Sequence, residues 1–386
     1  MYGLLVLRVS CSNIEMQKTV IFCFALLLAL VGSHLLPSAT AQEDAGEAFS
    51  PAALHAFSAL NPIDTHAHVF KLDPAFDEFL QNINMHLVDI VVANKDDKTF
   101  PDLESKIAAA KAFVKASGGR AVLCTTFDPF KFSNATFAGD AVRQLNRDFR
   151  QGAVAVKIWK NVGMELKDES GRFVMPDNPR FAPIYADIAK QGKTLIAHLA
   201  EPDSCWQPPN KNSPDYHYYN EHPEWYMFKQ PDHPKKAAII QARDHMLEQN
   251  PQLRVVGAHL GSLESNLDGL GKRLDRYPNF AVDVAARTVY LTLQPREKAR
   301  NFILRYQDRI LYGTDLGLYG RQNTATAEKA WAKHYAADWA FFSSDKMLTY
   351  RGRQVKGLAL PPQVLRKLYH DNAVHWIHGV LPESSN

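Results

Sequence analysis

Two histidines end an otherwise apolar run in the stretch NPIDTHAHVF, residues 61–70. Alternate side chains of a β-strand point to one face, so Asp64, His66 and His68 would project together. Such a strand end can hold a divalent metal ion, because imidazole nitrogen is a common ligand of ions such as Zn²⁺. Two histidines can also fall together by chance in a chain that contains 15 of them. The question is therefore whether later strands also end in ligand-type residues.

Short β-rich runs alternate with amphipathic helical segments from residue 61 onward. Eight of the runs are predicted to be strands: residues 61–69, 87–95, 120–128, 153–161, 193–201, 254–262, 279–287 and 309–315. Strands that alternate with helices predict parallel pairing, and eight such units match a (β/α)8 TIM barrel in the α/β class. An open doubly wound sheet is the alternative, but the glycine-rich first turn usual in that fold is missing.

Two insertions interrupt the alternation, residues 202–236 after strand five and residues 316–358 after strand eight. Both follow the C-terminal ends of strands, which is the face where barrel enzymes build their active sites. We therefore expect lids or contacts within a homo-oligomer in these two segments.

The other predicted strands end in further ligand-type or acid-base residues. Strand four ends near Lys157, strand five in His198, strand six in His259 and strand eight in Asp315. A TIM barrel brings these strand ends together at one rim. A single histidine of this kind is more commonly a structural residue, but several on one rim indicate a metal site with imidazole and carboxylate ligands.

These motifs resemble those of the amidohydrolase superfamily, specifically its amidohydrolase-related branch of metal-dependent TIM-barrel enzymes. DTHAHVF fits the first-strand HxH motif, IAHLAEP the fifth-strand histidine, GAHLGS the sixth-strand histidine and LYGTD the eighth-strand aspartate. The resemblance covers nearly the whole chain after residue 61. It implies that His66, His68, His198 and Asp315 hold the metal ion.

The resemblance leaves two residues with alternative roles. His259 would either ligate a second metal ion or polarise the carbonyl group of the substrate. Lys157 would be a carboxylated lysine that bridges two metal ions, or else a residue that forms a salt bridge or binds substrate in a site with one ion. The expected cofactor is therefore one divalent ion, with Zn²⁺ as the first choice, or two.

The implied chemistry is hydrolysis of an amide, lactone or ester bond in a small organic substrate. A bound Zn²⁺ would lower the pKa of its water towards ~7, and Asp315 would accept the proton of that water and pass it to the leaving group. A metal-dependent decarboxylase or hydratase acting on an aromatic-derived carboxylic acid is the second hypothesis. A metal-binding scaffold without activity is the third.

Candidate substrate-binding residues follow several of the strand ends. Glu201 and Glu264 each follow a site histidine, and they either orient it, contact substrate or lie solvated at the surface. Arg287 ends strand seven, where it would bind a substrate carboxylate or form an ion pair with Asp283. Asp64 lies deeper in its strand, so we expect a buried hydrogen-bonding role for it.

The insertion after strand five is rich in aromatic residues. They would form a lid that stacks on a ligand, or they would simply pack a long loop onto the barrel. We place Trp206 among the candidate substrate-binding residues; the others are Tyr216, Tyr218, Tyr219, Trp225, Tyr226 and Phe228.

The N-terminus is predicted to be a signal peptide, residues 1–41, with Met16 as an alternative start. The apolar run TVIFCFALLLALVG, residues 19–32, precedes a small-x-small site at residues 39–41. A membrane anchor is the alternative, but this run is short of the ~20 residues that a span needs. Export to the periplasm or secretion follows, with residues 42–60 as a lead-in segment and residues 61–386 as one barrel domain.

The composition is that of a globular protein, with 46% hydrophobic and 22% charged residues and a net charge of +3. No basic run or stripe indicates binding to nucleic acid. Of the four cysteines, Cys124 and Cys205 lie beyond the predicted leader, where they would either pair or remain free.

Overall fold

The computed structural model describes residues 49–381. The predicted signal peptide and the first residues of the lead-in segment, up to residue 48, lie outside the described residues. In the described part of the chain, no helix combines the length and apolar character needed to cross a membrane.

Nine strands form one parallel sheet. They are β1 Ile63–Val69, β2 His86–Ile90, β3 Ala121–Thr126, β4 Ala155–Ile158, β5 Thr194–Ala197, β6 Arg254–Gly257, β7 Phe280–Asp283, β8 Ile310–Leu311 and β9 Leu316–Leu318. Each strand from β1 to β7 pairs with the next along the chain, and β9 pairs with β1. Nearly every residue of β1 to β8 is buried, as expected for a parallel sheet that is covered on both faces.

The sheet closes into a barrel because β8 and β9 are two halves of one strand. β8 pairs with β7, and β9 pairs with β1 on the other side. Between them, the backbone N–H of Thr65 donates to the carbonyl of Tyr312 at 3.0 Å, and the N–H of Asp315 donates to the carbonyl of His66 at 2.7 Å. The predicted TIM barrel is therefore confirmed.

Helices surround the sheet. They are α1 Pro51–Ser58, α2 Pro74–Asn82, α3 Leu103–Ala116, α4 Phe137–Arg150, α5 Ala182–Lys190, α6 Tyr216–Glu221, α7 Lys236–Gln249, α8 Leu267–Arg276, α9 Thr288–Leu293, α10 Arg296–Arg305, α11 Thr324–Ser343, α12 Pro362–Arg366 and α13 Asn372–Trp376. Several begin at a side chain that accepts a hydrogen bond from the first turn, such as Asp73 before α2, Asp102 before α3 and Asn323 before α11.

The two long segments after strands five and eight differ in structure. Residues 202–236 contain the short helix α6 and several 3₁₀ turns. The segment after strand eight begins inside the barrel sheet with β9, and its helix α11 packs against α1 and α2 in the outer layer. An antiparallel hairpin, β10 Met347–Tyr350 with β11 Arg353–Lys356, follows α11.

One cluster of buried side chains fills the barrel, with contributions from all eight strands: Ile63, Val88, Cys124, Ala155, Ile196, Val256, Ala281 and Leu311. Trp376 and Ile377, from the end of the chain, join this cluster and close the N-terminal end of the barrel. The Trp376 indole N–H donates to the carbonyl of Asp308 at 3.0 Å. The described side chains therefore fill the barrel at this end, and the predicted ligand-type residues lie towards the opposite end.

The two cysteines beyond the predicted leader, Cys124 and Cys205, are free and buried. Burial raises the pKa of the Cys205 thiol to about 12, so it stays protonated at neutral pH. Of the two alternatives left by the sequence, the unpaired one is correct.

Candidate active site

The polar layer of the barrel lies directly beyond its apolar layer. Lys157, His198 and Asp283 come two residues after Ala155, Ile196 and Ala281 in their segments, so the period of two puts them on the same inward face. All three are buried, and so are His66, His68 and His259. The rim that the sequence predicts therefore exists.

Three potential metal ligands converge at this rim. His66, His68 and Asp315 each offer one ligand atom, and these atoms lie within 4.8 Å of one another. Asp315 Oδ1 is 3.1 Å from His68 Nε2 and 3.4 Å from His66 Nε2. The three residues come from the first strand and from the break in the eighth, which are adjacent only because the barrel closes there.

Hydrogen bonds hold both imidazoles with Nε2 directed at the site. His66 Nδ1 lies 2.9 Å from Asp283 Oδ2, and His68 Nδ1 lies 2.7 Å from the carbonyl oxygen of Ile90. Because carboxylate and carbonyl oxygens only accept, Nδ1 carries the proton in each neutral ring. In that neutral tautomer each Nε2 keeps a lone pair that can ligate a metal ion, and His68 Nε2, which faces Asp315 Oδ1 at 3.1 Å, would share the ion with that carboxylate rather than donate to it.

Asp283 connects three parts of the rim. Its Oδ1 accepts hydrogen bonds from the backbone N–H of His259 at 2.8 Å and of Ala285 at 3.1 Å, while Oδ2 faces His66. Burial alone would raise the pKa of this fully buried carboxylate, but its electrostatic and hydrogen-bonding contact with His66 outweighs burial and lowers the pKa. His66, His259 and Asp283 form a second group with ligand atoms within 4.8 Å.

His259 reaches the site through an unusual backbone. It begins four consecutive residues in the left-handed region, His259 to Ser262, of which only Gly261 is a glycine. Its ring lies 4.8 Å from that of His66 and 4.2 Å from that of His198. Ala200, Ala286 and Asp315, in the loops that follow strands five, seven and eight, also have positive φ. Such strain is costly and collects where function requires it.

The tautomer of His259 follows from its contact with the backbone. Its Nδ1 lies 2.8 Å from the carbonyl oxygen of Ala285, so the Nδ1 proton is donated there and Nε2 has the lone pair. Burial is the main reason that the pKa of His259 is held well below its ordinary value. The ring is therefore neutral at neutral pH, and its Nε2 lone pair can ligate a metal.

His198 faces His259 rather than the group formed by His66, His68 and Asp315. Among the described residues it belongs to neither group of three, and its Nε2 is buried without a hydrogen-bond partner. The nearest acidic atom is Glu201 Oε1, at 3.7 Å. Burial lowers the pKa of His198 strongly, with His259 adding to the effect. A neutral imidazole with a free ring nitrogen suits a metal ligand.

Lys157 lies beside the same ligand atom that His66 offers to a metal. Its Nζ is 3.1 Å from His66 Nε2, and the residue is 1% exposed. Burial lowers the pKa of the amine, although Asp283 and Asp315 act in the opposite direction. Lys157 therefore has the position, at the floor of the site, and the burial that a lysine needs to act as a neutral amine.

A network of buried charges extends from His198 away from the three converging ligands. Lys160 contacts Glu201 directly, and Arg287 Nη2 lies 3.8 Å from Glu201 Oε2. Arg287 Nε is 3.9 Å from Glu264 Oε2, and Glu264 is 0% exposed. The predicted residues Glu201, Glu264 and Arg287 thus lie together. Asp283 is not the partner of Arg287, because its carboxylate is taken up by His66 and backbone amides.

A comparison with known protein families gives an independent finding. A family model described as Amidohydrolase matches residues 63–377, which spans the barrel from β1 to α13. The chain belongs to the amidohydrolase family. A comparison with curated proteins gives no match.

Solved structures with similar folds include enzymes of several chemistries. A 2,6-dihydroxybenzoate decarboxylase from Rhizobium is 14% identical with a TM-score of 0.47, over 81% of this chain and 98% of the other. A dihydroorotase from Campylobacter jejuni is 12% identical with a TM-score of 0.43, over 82% of each chain. A 4-oxalomesaconate hydratase from Rhodopseudomonas palustris is 11% identical with a TM-score of 0.44, over 83% of this chain and 96% of the other.

The aromatic insertion of this amidohydrolase contributes two hydroxyl groups to the site. Tyr218 OH lies 2.6 Å from Lys160 Nζ, and Tyr219 OH lies 3.3 Å from Glu201 Oε2. Trp225 covers Lys160, whose Nζ is 4.4 Å from the ring centroid. Trp206 instead donates its indole N–H to the carbonyl of Pro234 at 3.1 Å, which ties the two ends of the insertion together.

Two residues that contact the candidate site, Asp283 and Lys160, are not among the site residues predicted from the sequence. Asp283 is visible in the sequence at the end of strand seven, and its position two residues after Ala281 is the signal that could have placed it on the rim. Lys160 lies just beyond strand four, where no periodic pattern predicts its direction. Asp64, by contrast, is buried as expected and accepts hydrogen bonds from the backbone of His66 and Thr314, both at 3.0 Å.

Proposed function

We propose that this amidohydrolase is an exported metal-dependent hydrolase that cleaves an amide, lactone or ester bond in a small organic molecule. The observation that carries the proposal is the convergence of His66 Nε2, His68 Nε2 and Asp315 Oδ1, with both rings oriented by hydrogen bonds at Nδ1. A divalent ion bound there supplies a Lewis acid that lowers the pKa of water and polarises a carbonyl group. The leader predicted at residues 1–41 would direct export.

The donor set fits a borderline divalent ion such as Zn²⁺, because it combines imidazole nitrogens with one carboxylate oxygen. His66, His68 and Asp315 would hold the ion. His198 would complete the set, since its free and buried Nε2 has no other partner in the described structure. His259 and a carboxylated Lys157 would serve a second ion, and the lone pair on His259 Nε2 favours that role over donation to a carbonyl group.

Asp315 is the proposed proton carrier. Although burial raises its pKa, His259, His68 and His66 outweigh that effect and hold the pKa well below the ordinary value, so the carboxylate is ionised at neutral pH. Its side chain is 33% exposed, more than those of its histidine neighbours. An ionised and accessible carboxylate can accept the proton of the attacking water and deliver it to the leaving group.

Metal content tests the site. We expect the wild-type protein to bind at least one equivalent of a divalent ion, and a His66→Ala/His68→Ala double variant to lose about one equivalent with unchanged circular dichroism. A His222→Ala/His245→Ala variant is the matched control, because both side chains are about half exposed. Equal metal content in all three proteins would show that His66 and His68 do not bind the ion.

A substrate panel tests the reaction class. The metal-loaded protein should hydrolyse members of a set of aryl esters, lactones and amides, and Asp315→Asn should lower kcat by roughly a hundredfold or more. Release of CO₂ from aromatic carboxylic acids, or addition of water to a double bond, without any hydrolysis would instead establish a lyase. Near-normal turnover by Asp315→Asn would remove Asp315 from its proposed role.

A further inference from the structure

The charged network beyond His198 contains buried polar atoms that have no hydrogen-bond partner. Both carboxylate oxygens of Glu264 and the Nε of Arg287 are in this state. Glu264 is 0% exposed and Arg287 is 8% exposed. Buried polar groups are nearly always hydrogen-bonded, so unpartnered groups that face one another indicate a place for a water molecule or a ligand.

The separations within this network fit a bridging polar group. Arg287 Nε is 3.9 Å from Glu264 Oε2, and Lys236 Nζ is 3.6 Å from Glu264 Oε1. Both distances exceed a hydrogen bond and are too short for an atom directly between the partners, so a polar group that lies beside a pair could contact both partners at once. Within the described structure the guanidinium of Arg287 donates one hydrogen bond, a weak one to the carbonyl of Ala286 at 3.3 Å, so most of its side-chain donors are free.

The charge balance around Arg287 excludes a further anion. Burial alone would lower the pKa of its guanidinium, but Asp215, Glu264 and Glu201 together raise that pKa above its ordinary value. Three carboxylates thus already act on one guanidinium, with Lys160 and Lys236 balancing Glu201 and Glu264 in part. Asp203, 2.7 Å from Lys236 Nζ, adds a fourth carboxylate against three cations, so a substrate carboxylate would meet more negative than positive charge here.

The network is close enough to the proposed metal site to contact the same substrate. Glu201 lies 3.8 Å from Arg287 and 3.7 Å from His198. The ring of His198 is in turn 4.2 Å from that of His259. The left-handed turn His259–Ser262 precedes Glu264, and its Ser262 hydroxyl donates to the carbonyl of Ala200 at 3.1 Å, which joins this loop to the one that carries Glu201.

We propose that Arg287 and Glu264 form a specificity subsite for a primary carboxamide on the part of the substrate remote from the scissile bond. The carbonyl oxygen accepts a hydrogen bond from Arg287 Nε, and the amide N–H donates to Glu264. A carboxylate offers no donor to Glu264 and adds a negative charge, so it is rejected. This inference rests on the proposed function, because the metal site defines where the scissile bond lies.

The test separates binding from turnover. Hydroxamic acids chelate divalent ions and are not cleaved. We would therefore use a series of hydroxamic acids of increasing chain length, each ending in a carboxamide, a carboxylate or a methyl group, to probe the subsite directly. We expect calorimetry on the metal-loaded protein to show one chain length at which the carboxamide binds about tenfold more tightly than either other end group. Equal affinity would mean that a water molecule alone satisfies Arg287 and Glu264, and tighter binding of the carboxylate would mean that Arg287 binds an anion; either result would overturn the proposal.

A near-isosteric variant tests the residue. Glu264→Gln removes the buried negative charge and presents a donor, so the preference for carboxamide over carboxylate should fall about tenfold. Glu169→Gln, at an exposed position, should keep the wild-type preference. An unchanged preference in Glu264→Gln would overturn the role of Glu264. Should Glu264→Gln fail to fold, the end-group preference of the wild type decides the proposal by itself.

Matched 4-nitrophenyl esters distinguish this inference from the proposed function. If no ester is cleaved while the hydroxamates keep their end-group preference, the hydrolase proposal fails and the subsite stands. Cleavage of the esters without an end-group preference would support the proposed hydrolase function and contradict the proposed subsite. If no hydroxamate binds the metal-loaded protein, both are overturned.

Discussion

At the level of single residues, Asp283 contacts two of the proposed metal ligands, His66 and His259. One carboxylate oxygen accepts two backbone N–H groups, from His259 and Ala285, and the other orients His66. The same side chain therefore fixes the tautomer of one proposed ligand and the unusual backbone of another. Partners that orient metal ligands in this way are typically worth 10- to 100-fold in metal affinity, by the general order of magnitude.

Asp283→Asn should weaken metal binding about 10- to 100-fold with the fold retained. The amide oxygen would keep the two backbone N–H donors, so the NH₂ group would face His66 Nδ1. His66 would then have to protonate Nε2 and lose the lone pair that binds metal. Competition titration with a chelator measures the change.

Asp275→Asn is the control for this variant, because Asp275 is an exposed carboxylate paired with Arg305 at the surface. Its metal affinity should equal that of the wild type. The same affinity in Asp283→Asn as in Asp275→Asn would show that Asp283 does not orient His66.

At the level of elements, the insertion after β5 is fastened to the barrel by buried polar contacts. Asp215 accepts a hydrogen bond from Ser204 within the insertion at 2.6 Å and another from Tyr290 in α9. Tyr218 and Tyr219 reach Lys160 and Glu201 on the barrel side. The insertion is therefore attached at the same network that contains Arg287.

Tyr290→Phe should loosen this insertion without unfolding the barrel. The variant leaves the largely buried Asp215 carboxylate with Ser204 as its only hydroxyl partner, which costs about 1–3 kcal/mol by the general penalty for a lost buried partner. Amide hydrogen exchange in residues 202–236 should then be roughly tenfold faster. Mass spectrometry of peptides from this segment gives the rate.

Tyr306→Phe serves as the control, because Tyr306 OH donates at 3.1 Å to an exposed aspartate, Asp275, far from the insertion in the chain. It should leave exchange in the insertion unchanged. Equal rates in the two variants would mean that Tyr290 does not fasten the insertion.

At the level of the whole molecule, the described part of the lead-in segment packs as part of the barrel. Phe57 of α1 is fully buried, and its ring lies 5.5 Å from that of Tyr369 and 5.7 Å from that of Trp339. These partners come from the last third of the chain. The start of the described chain thus stabilises the layer that covers the joint between the first and last strands.

Phe57→Ala should lower the free energy of unfolding by about 3–5 kcal/mol, the usual cost of truncating a buried phenylalanine. Urea denaturation followed by tryptophan fluorescence measures it. Phe228→Ala is the control, since Phe228 is 44% exposed in the insertion, and it should cost less than about 1 kcal/mol. If the two variants were equally stable, α1 would contribute nothing to the barrel.

Much of this molecule could be predicted from local patterns. The period of two in a strand identifies which face His66 and His68 share, and the alternation of strands with helices implies a rim where strand ends meet. The eight strands, the barrel and the family follow from these regularities. Fold class and candidate residues are encoded locally, because each depends on a few neighbouring positions in the chain.

Only the tertiary structure decided which of these residues contact one another. The pairing of His66 with Asp283 joins residues 217 positions apart, and the contact of His68 with Asp315 spans 247 positions. The broken eighth strand, the left-handed turn at His259, and the buried Arg287 Nε and Glu264 oxygens that lack hydrogen bonds depend on barrel closure and on charges buried by distant loops. No local period encodes such contacts, because hydrogen bonding and burial depend on separation in space rather than along the chain.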